Sequence, residues 1–222
     1  MLFGQLTTAW ETVPREDAVQ RYPFLVGPDL EFDALFGEEP THVLVHSGDL
    51  AVAGGVAVGC GIDDVNARED VEAVHVIDGN LTVGGALHFY NEGYYPTLCV
   101  TGSVAARNLL CVSECVLFVA GALRVEELLV TDLYEAGLLS AEGPSSVGTW
   151  LQLEVRETLA HLGVGPDSEQ TRILRADGDS EAEAASAVVL PEFFDGDRVD
   201  VRKLAAAAVA GHPLTIEAAR ES

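Results

Sequence analysis

Cations are scarce in this chain. Twelve Lys plus Arg face 36 Asp plus Glu across 222 residues, a formal net charge of −24, and Lys203 is the sole lysine. An acidic excess of that size repels nucleic acid and anionic membrane surfaces, so neither is an expected partner, while a basic protein is attracted. One lysine, at 203, also leaves no phosphate-cradling loop of the form G-x-x-x-x-G-K-[ST]. There is no G-x-S-x-G elbow and no G-x-G-x-x-G opening a helix. Cysteine is sparse too. Cys60, Cys99, Cys111 and Cys115 lie in apolar, strand-like runs without a C-x-x-C pair, which predicts buried reduced thiols rather than a zinc site or disulfides. The longest apolar run, from Leu50 to Ile62, is studded with Gly and too short to span a bilayer. Met1–Leu6 lacks the basic-then-apolar order of a signal peptide, so a soluble, cytoplasmic protein is expected.

Catalytic and metal-binding sets are equally hard to assemble. His42 and His46 are four apart, but in a strand they share a face without chelating geometry. His75 and His88 sit in strand runs, as satisfied or surface histidines would. Asp63 and Asp64 fall in a polar stretch, Gly61 to Asp70, that reads as a loop inserted into the repeat; one acidic pair in so acidic a chain does not specify calcium. No enzyme activity, cofactor or metal is expected.

What the chain does contain is a repeated phrase. Gly48-Asp49-Leu50-Ala51-Val52 is echoed by Gly79-Asn80-Leu81-Thr82-Val83, and more loosely from Gly102 and Gly121. Each Gly follows a short apolar run: Val43-Leu44-Val45, Val74-His75-Val76-Ile77, Leu98-Cys99-Val100 and Leu117-Phe118-Val119. Apolar residues alternate around each Gly with the period of two that marks strands. The Gly fits a bend that accommodates no side chain. The glycines are spaced by 31, 23 and 19 residues, which suggests stacked coils. The fold class predicted is mainly β: a single-stranded parallel β-helix solenoid, right-handed by preference, with an α-helical C-terminal flank. An antiparallel sandwich is the competing arrangement, and a left-handed hexapeptide helix fits less well because the spacings are not multiples of six.

A solenoid exposes strand edges at both ends, and the flanks are suited to cover them. The expected division is a capping segment over 1–40, rich in aromatics; the repeat domain over 41–148; and a mostly helical cap over 149–222. Within the last, the later half of Trp150–Gly163 reads as an amphipathic helix, and residues 176–187 as an exposed acidic loop or solvated helix. Asp200 is placed to cap a helix that Gly211 ends, its apolar face packing on the solenoid end. Capped ends predict a monomer or small homo-oligomer. Two aromatic and acidic clusters are candidates for touching a basic partner: Tyr90, Glu92, Tyr94 and Tyr95, and further along Glu126, Glu127, Tyr134 and Glu135. The competing reading is that these Tyr residues line a stacked corner.

The phrases Val45-His46-Ser47-Gly48-Asp49-Leu50, Ile77-Asp78-Gly79-Asn80-Leu81-Thr82-Val83 and Val119-Ala120-Gly121-Ala122-Leu123-Arg124-Val125 resemble the polymer-forming, bactofilin-like β-helix repeats of bacteria. With Asn108-Leu109-Leu110, Glu127-Leu128-Leu129-Val130, the tail Leu190-Pro191-Glu192-Phe193-Phe194 and Gly211-His212-Pro213-Leu214, the pattern is similar to stand-alone proteins of this repeat class associated with polymorphic-toxin immunity. The resemblance covers roughly 41–145 and, loosely, the tail. It implies a non-catalytic binding protein, an immunity protein neutralising a basic cognate toxin through its acidic surface. The alternative it implies is a self-assembling cytoskeletal protein of bactofilin type, whose helix carries short tails where this chain has long flanks.

Overall fold

The computed structural model describes residues 3–26, 42–60, 74–91, 97–134, 137–153, 160–163, 172–175 and 181–221. Two parallel sheets run through it. One sheet, A, stacks β2 (His42–Ser47), β5 (Val74–Asp78), β7 (Thr97–Val100), β9 (Val116–Val119), the first part of β11 (Leu138–Gln152) and β12 (Ala160–Gly163). The other, B, stacks β3 (Leu50–Val52) and β4 (Val56–Cys60) on β6 (Leu81–Asn91), then β8 (Val104–Ser113), β10 (Leu123–Leu133), the later part of β11 and β13 (Arg172–Arg175). Every rung crosses from A to B and pairs in parallel with the next. This is a parallel β-solenoid, and the antiparallel sandwich is excluded by the register.

The repeated Gly is explained by contact between rungs. A Cβ on Gly79 would lie 2.5 Å from the carbonyl carbon of Gly48, and one on Gly102 would lie 2.6 Å from the Gly79 oxygen. Gly121 meets Gly102 in the same way, and Gly143 meets Gly121, so Gly143 marks a further copy of the corner that the phrase search did not pick out. Gly48, the first of the series, has open space where a Cβ would stand and is set instead by its φ of +95°, in the left-handed region. The residue after each Gly builds a second ladder. Asp49 Oδ1 accepts from the Asn80 backbone N–H and Nδ2, Asn80 Oδ1 from the Ser103 N–H, and Ser103 Oγ from the Ala122 N–H, at 2.8 to 3.1 Å. Leu or Val then points inward, where Leu81, Val83, Leu98, Val104, Leu109, Leu117, Leu123 and Leu139 form one core.

The first residues close one end of that core. Phe3 and Leu6 join it, Phe3 lying edge-on to Phe89 at 5.4 Å and against His75 at 4.3 Å. Trp10 packs beside His75 and His46. Strand β1 (Glu11–Pro14) then pairs antiparallel with β2, so a reversed strand occupies this edge of sheet A. Helix α1 (Arg15–Arg21) and a short 3-10 turn, Pro23–Val26, fold over the outward face of A. There Ala18, Tyr22 and Leu25 bury Val43, Val45, Val74, Val76, Cys99 and Phe118. Asp78 latches this segment, accepting from Arg21 at 2.6 Å, the Tyr22 hydroxyl at 3.1 Å and Thr101 at 3.2 Å. Burial alone would raise the Asp78 pKa, but these hydrogen bonds outweigh it and hold the carboxyl below its ordinary value.

The C-terminal flank corrects two expectations. The later half of Trp150–Gly163, read as an amphipathic helix, is strand where it is described, Ala160–Gly163 forming β12, and Trp150–Gln152, assigned to the helical cap, completes β11. Trp150 points inward and its indole N–H donates to Thr131 Oγ1 at 3.0 Å, while Leu151 points outward. The solenoid therefore runs past 148, to Arg175. The helices that follow lie along its side instead of on its end. Helix α2 (Glu181–Ser186), with Ala185 fully buried, and helix α3 (Val201–Val209) cover the outward side chains of sheet B: Ala86, Leu110, Leu128, Val130 and Leu151. Burying a Val or Leu completely contributes ~1.5–3 kcal/mol each, which explains why this face attracts the flank. Between these helices sit β14 (Phe194–Asp195) and β15 (Arg198–Val199), a two-stranded hairpin turning at Gly196 with φ +63°. Asp200 caps α3 as expected, accepting from the Lys203 N–H at 3.0 Å, and Gly211, at φ +78°, ends it. A final helix, α4 (Ile216–Glu221), follows the Val189–Thr215 bridge.

Candidate functional site

The described candidate residues lie in two places on sheet B, at a bulge within β10 and at the margin where β6 and β10 end. Glu126 and Glu127 form a bulge. Between Val125 and Leu128 strand β10 takes three steps where β8 takes two, Ala106 to Asn108, and β11 takes two, Val147 to Thr149. The extra residue places two carboxylates opposite Arg107 on one side and Gly148 on the other. Gly148 is required there, because a Cβ would meet the Glu126 carbonyl oxygen at 2.5 Å.

The two acids differ in what they are free to do. Glu127 accepts from Arg107 Nε at 2.8 Å and from Asn108 Nδ2 at 3.3 Å, and Asn108 Oδ1 in turn accepts from the Leu128 N–H at 3.1 Å. Its charge is engaged in holding the bulge. Glu126 is exposed, 3.9 Å from an equally exposed Arg124, a pairing too solvated to fix it.

A cleft of about 600 Å³ opens beside this bulge, between it and α4. Its lining includes Glu126, Glu127, Gly148, Thr149 and Arg172 from the solenoid and Ile216, Glu217, Ala218 and Arg220 from α4.

The margin at the strand ends carries Tyr90 and Tyr134. Tyr134 follows the end of β10 in a shallower cleft of about 480 Å³, with Ser113 and Asp132 on the solenoid side and Asp195, Arg198 and Arg202 on the flank. Ser113 adopts φ +63° at this corner. Tyr90 is in register with Val112, and Val112 with Asp132, so Tyr90 and Tyr134 share this margin. Tyr90 stacks on His88 at 4.9 Å, and burial pushes the His88 pKa down to about 4. Seven residues separate Glu127 from Tyr134, about 23 Å along a strand, so the structure does not bring the acids and tyrosines together. Glu92, Tyr94, Tyr95 and Glu135, like the Gly61–Asp70 stretch, lie outside the described residues.

His46, His75, Cys99, Cys111 and Cys115 occupy structural positions. His75 is fully buried among Phe3 and Trp10, and His46 Nδ1 lies 3.2 Å from the Ala9 carbonyl oxygen. Cys99, Cys111 and Cys115 are buried free thiols, and burial raises the pKa of Cys99. Among the described residues no helix is long and apolar enough to cross a membrane.

Sequence reasoning missed Arg107, Arg172, Glu217 and Arg220. Arg107 had a signal: it precedes Glu127 by 20 residues, the Gly102–Gly121 repeat plus the one bulged residue. The other three reach the cleft only through tertiary packing, and nothing local marks them. In comparisons with known proteins, the chain matches no family model, no curated protein and no solved structure.

Proposed function

We propose that this chain is a non-catalytic binding protein that captures a basic protein, in the manner of an immunity protein occluding a toxin in the cytoplasm. The observation that carries the reading is the acidic excess, 36 Asp plus Glu against 12 Lys plus Arg. A field of that sign draws in a cationic partner, speeds encounter and rejects acidic competitors. Glu126, Tyr90 and Tyr134, with Glu92, Tyr94, Tyr95 and Glu135, are the residues assigned to contact it; Glu127 contributes by holding the bulge.

The alternative is a bactofilin-type filament grown by stacking rungs end to end. What favours the discrete binder is the plugged end. Phe3, Leu6 and Trp10 fill the core there and β1 runs antiparallel on β2, so adding a rung at that end requires expelling residues 3–14. The test combines light scattering over a wide concentration range with titration against any basic protein found encoded beside this gene. A size that stays constant, with binding that weakens as salt rises and on Glu126→Lys, is expected. Growth into long assemblies, or no association with a basic partner, would sink the reading.

A further inference from the structure

Cations in this chain have three carboxylates apiece to choose from, and Arg21, Arg107 and Arg124 each have one within 4 Å. Among the described residues, Arg172 and Arg220 have none, and both line the 600 Å³ cleft beside the β10 bulge. That volume lies within the range of pockets that bury small ligands.

The floor of the cleft has a direction. Glu126 sits on β10, Gly148 on β11 and Arg172 on β13, three successive strands of sheet B. Two strand spacings separate the acid from the arginine, about 10 Å. Gly148 carries no side chain, so the floor stays open between them. With Glu127 neutralised by Arg107, the remaining charges among the described lining residues are Glu126 and Glu217 against Arg172 and Arg220. The cleft is thus two-signed and balanced inside a chain of net charge −24. A purely cationic ligand would leave the arginines without partners, and an anionic one would meet the glutamates.

We propose that this cleft binds a basic α-amino acid unit, with the side-chain guanidinium or ammonium against Glu126 and the α-carboxylate against Arg172. An extended arginine separates these charges by six bonds, about 7 Å, within reach of side chains rooted about 10 Å apart. Arg172 suits the carboxylate because its planar fork can grip both oxygens. The same chemistry is offered by the free amino acid and by a peptide ending in Arg or Lys. The site goes beyond capture of a basic protein and does not depend on it.

The experiment is calorimetric titration of the full chain with L-arginine, Gly-Arg and agmatine, which is arginine without its carboxylate. Saturable binding of L-arginine or Gly-Arg is expected, with agmatine weaker by about tenfold, the loss of one charge-assisted pair. Binding of L-arginine alone identifies the free amino acid as the source; binding of Gly-Arg alone identifies a peptide terminus. Arg172→Gln is expected to abolish the preference over agmatine, whereas Glu126→Gln weakens all three ligands and keeps the preference. Both variants should retain the parent's unfolding midpoint, since both side chains are exposed. The proposal is overturned by absence of binding, by agmatine binding as well as arginine, or by a preference that survives Arg172→Gln. None of these results bears on capture of a basic protein, which the salt-dependent titration reads separately.

Discussion

Replacing Gly102 by Ala should break the solenoid at one corner. The new Cβ would stand 2.6 Å from the Gly79 oxygen and 2.5 Å from Asn80 Oδ1, where ordinary contact begins at 3.4 Å. Neither neighbour can retreat freely. The Gly79 oxygen already accepts from the Gly102 N–H at 2.9 Å, and Asn80 Oδ1 accepts from the Ser103 N–H at 2.8 Å. Opening the rungs far enough to admit a methyl group sacrifices both bonds, ~1 kcal/mol each, and adds an overpacking cost of ~1–3 kcal/mol. A total loss of ~3–5 kcal/mol is a large part of the stability of an ordinary domain. Two controls isolate the cause. Gly54 has nothing within 4 Å of a built Cβ and no positive φ, so Gly54→Ala should change stability by less than ~0.5 kcal/mol. Gly48 also has open space but sits at φ +95°, so Gly48→Ala should cost only the backbone strain, ~1–2 kcal/mol. Urea unfolding followed by circular dichroism measures all three. If Gly102→Ala costs no more than Gly54→Ala, the stacked corner is not what the repeated glycine serves.

Four further perturbations test other parts of the fold. His88 has its pKa lowered to about 4 by burial, from 6.5, so in that window the unfolded chain takes up a proton that the folded chain refuses. Stability should therefore be full above about pH 6.5 and fall by ~2–3 kcal/mol as pH drops to about 4, and His88→Gln should flatten this limb. Protonation of Asp78, whose folded pKa is depressed, should open a separate loss at still lower pH, visible as release of the α1 segment. A double-mutant cycle on Arg107 and Glu127 should give a coupling of ~0.5–1 kcal/mol, because the pair is half exposed yet tied to Asn108; zero coupling would mean the bulge is held by backbone alone. Phe3→Ala should cost ~3 kcal/mol and make the chain associate at high concentration, since it removes the plug from the core; unaltered stability would place the closure elsewhere.

The repeated corner was legible because it is dictated locally. A Gly beneath a Gly, followed by Asp, Asn or Ser, is a contact that recurs once per rung, and sequence spacing reports it directly. The strand at Trp150–Gln152 was harder. Leu151, Leu153, Val155, Leu159 and Leu162 fit a helical stripe as well as an alternating strand, and at Leu151 only the parallel partner β10 decides between them. Where the C-terminal flank docks had a readable clue. Leu109-Leu110 and Leu128-Leu129-Val130 are apolar without interruption, and strands of that kind are buried on both faces. The alternating signal says which residues point inward; the outward apolar ones, Leu110, Leu128 and Val130, state that something must lie over them. The acids at 126 and 127 were visible as acids, but the bulge that separates their roles arises from pairing with Arg107 and Gly148.

The flank laid along sheet B also acts as a ruler. Near one end of the stack Gly55 lies under α3, where a Cβ would meet the Val209 oxygen at 2.3 Å; at the other, Leu153 and Leu174 pack against the same cluster. Solenoids of bare rungs can gain or lose a coil by duplication or deletion, since each rung touches only its neighbours. Here a duplicated rung would lengthen the stack by ~4.8 Å while the flank kept its length, so one of these two contacts would have to part. Drift in coil number is thereby selected against by a segment that contains no repeat at all.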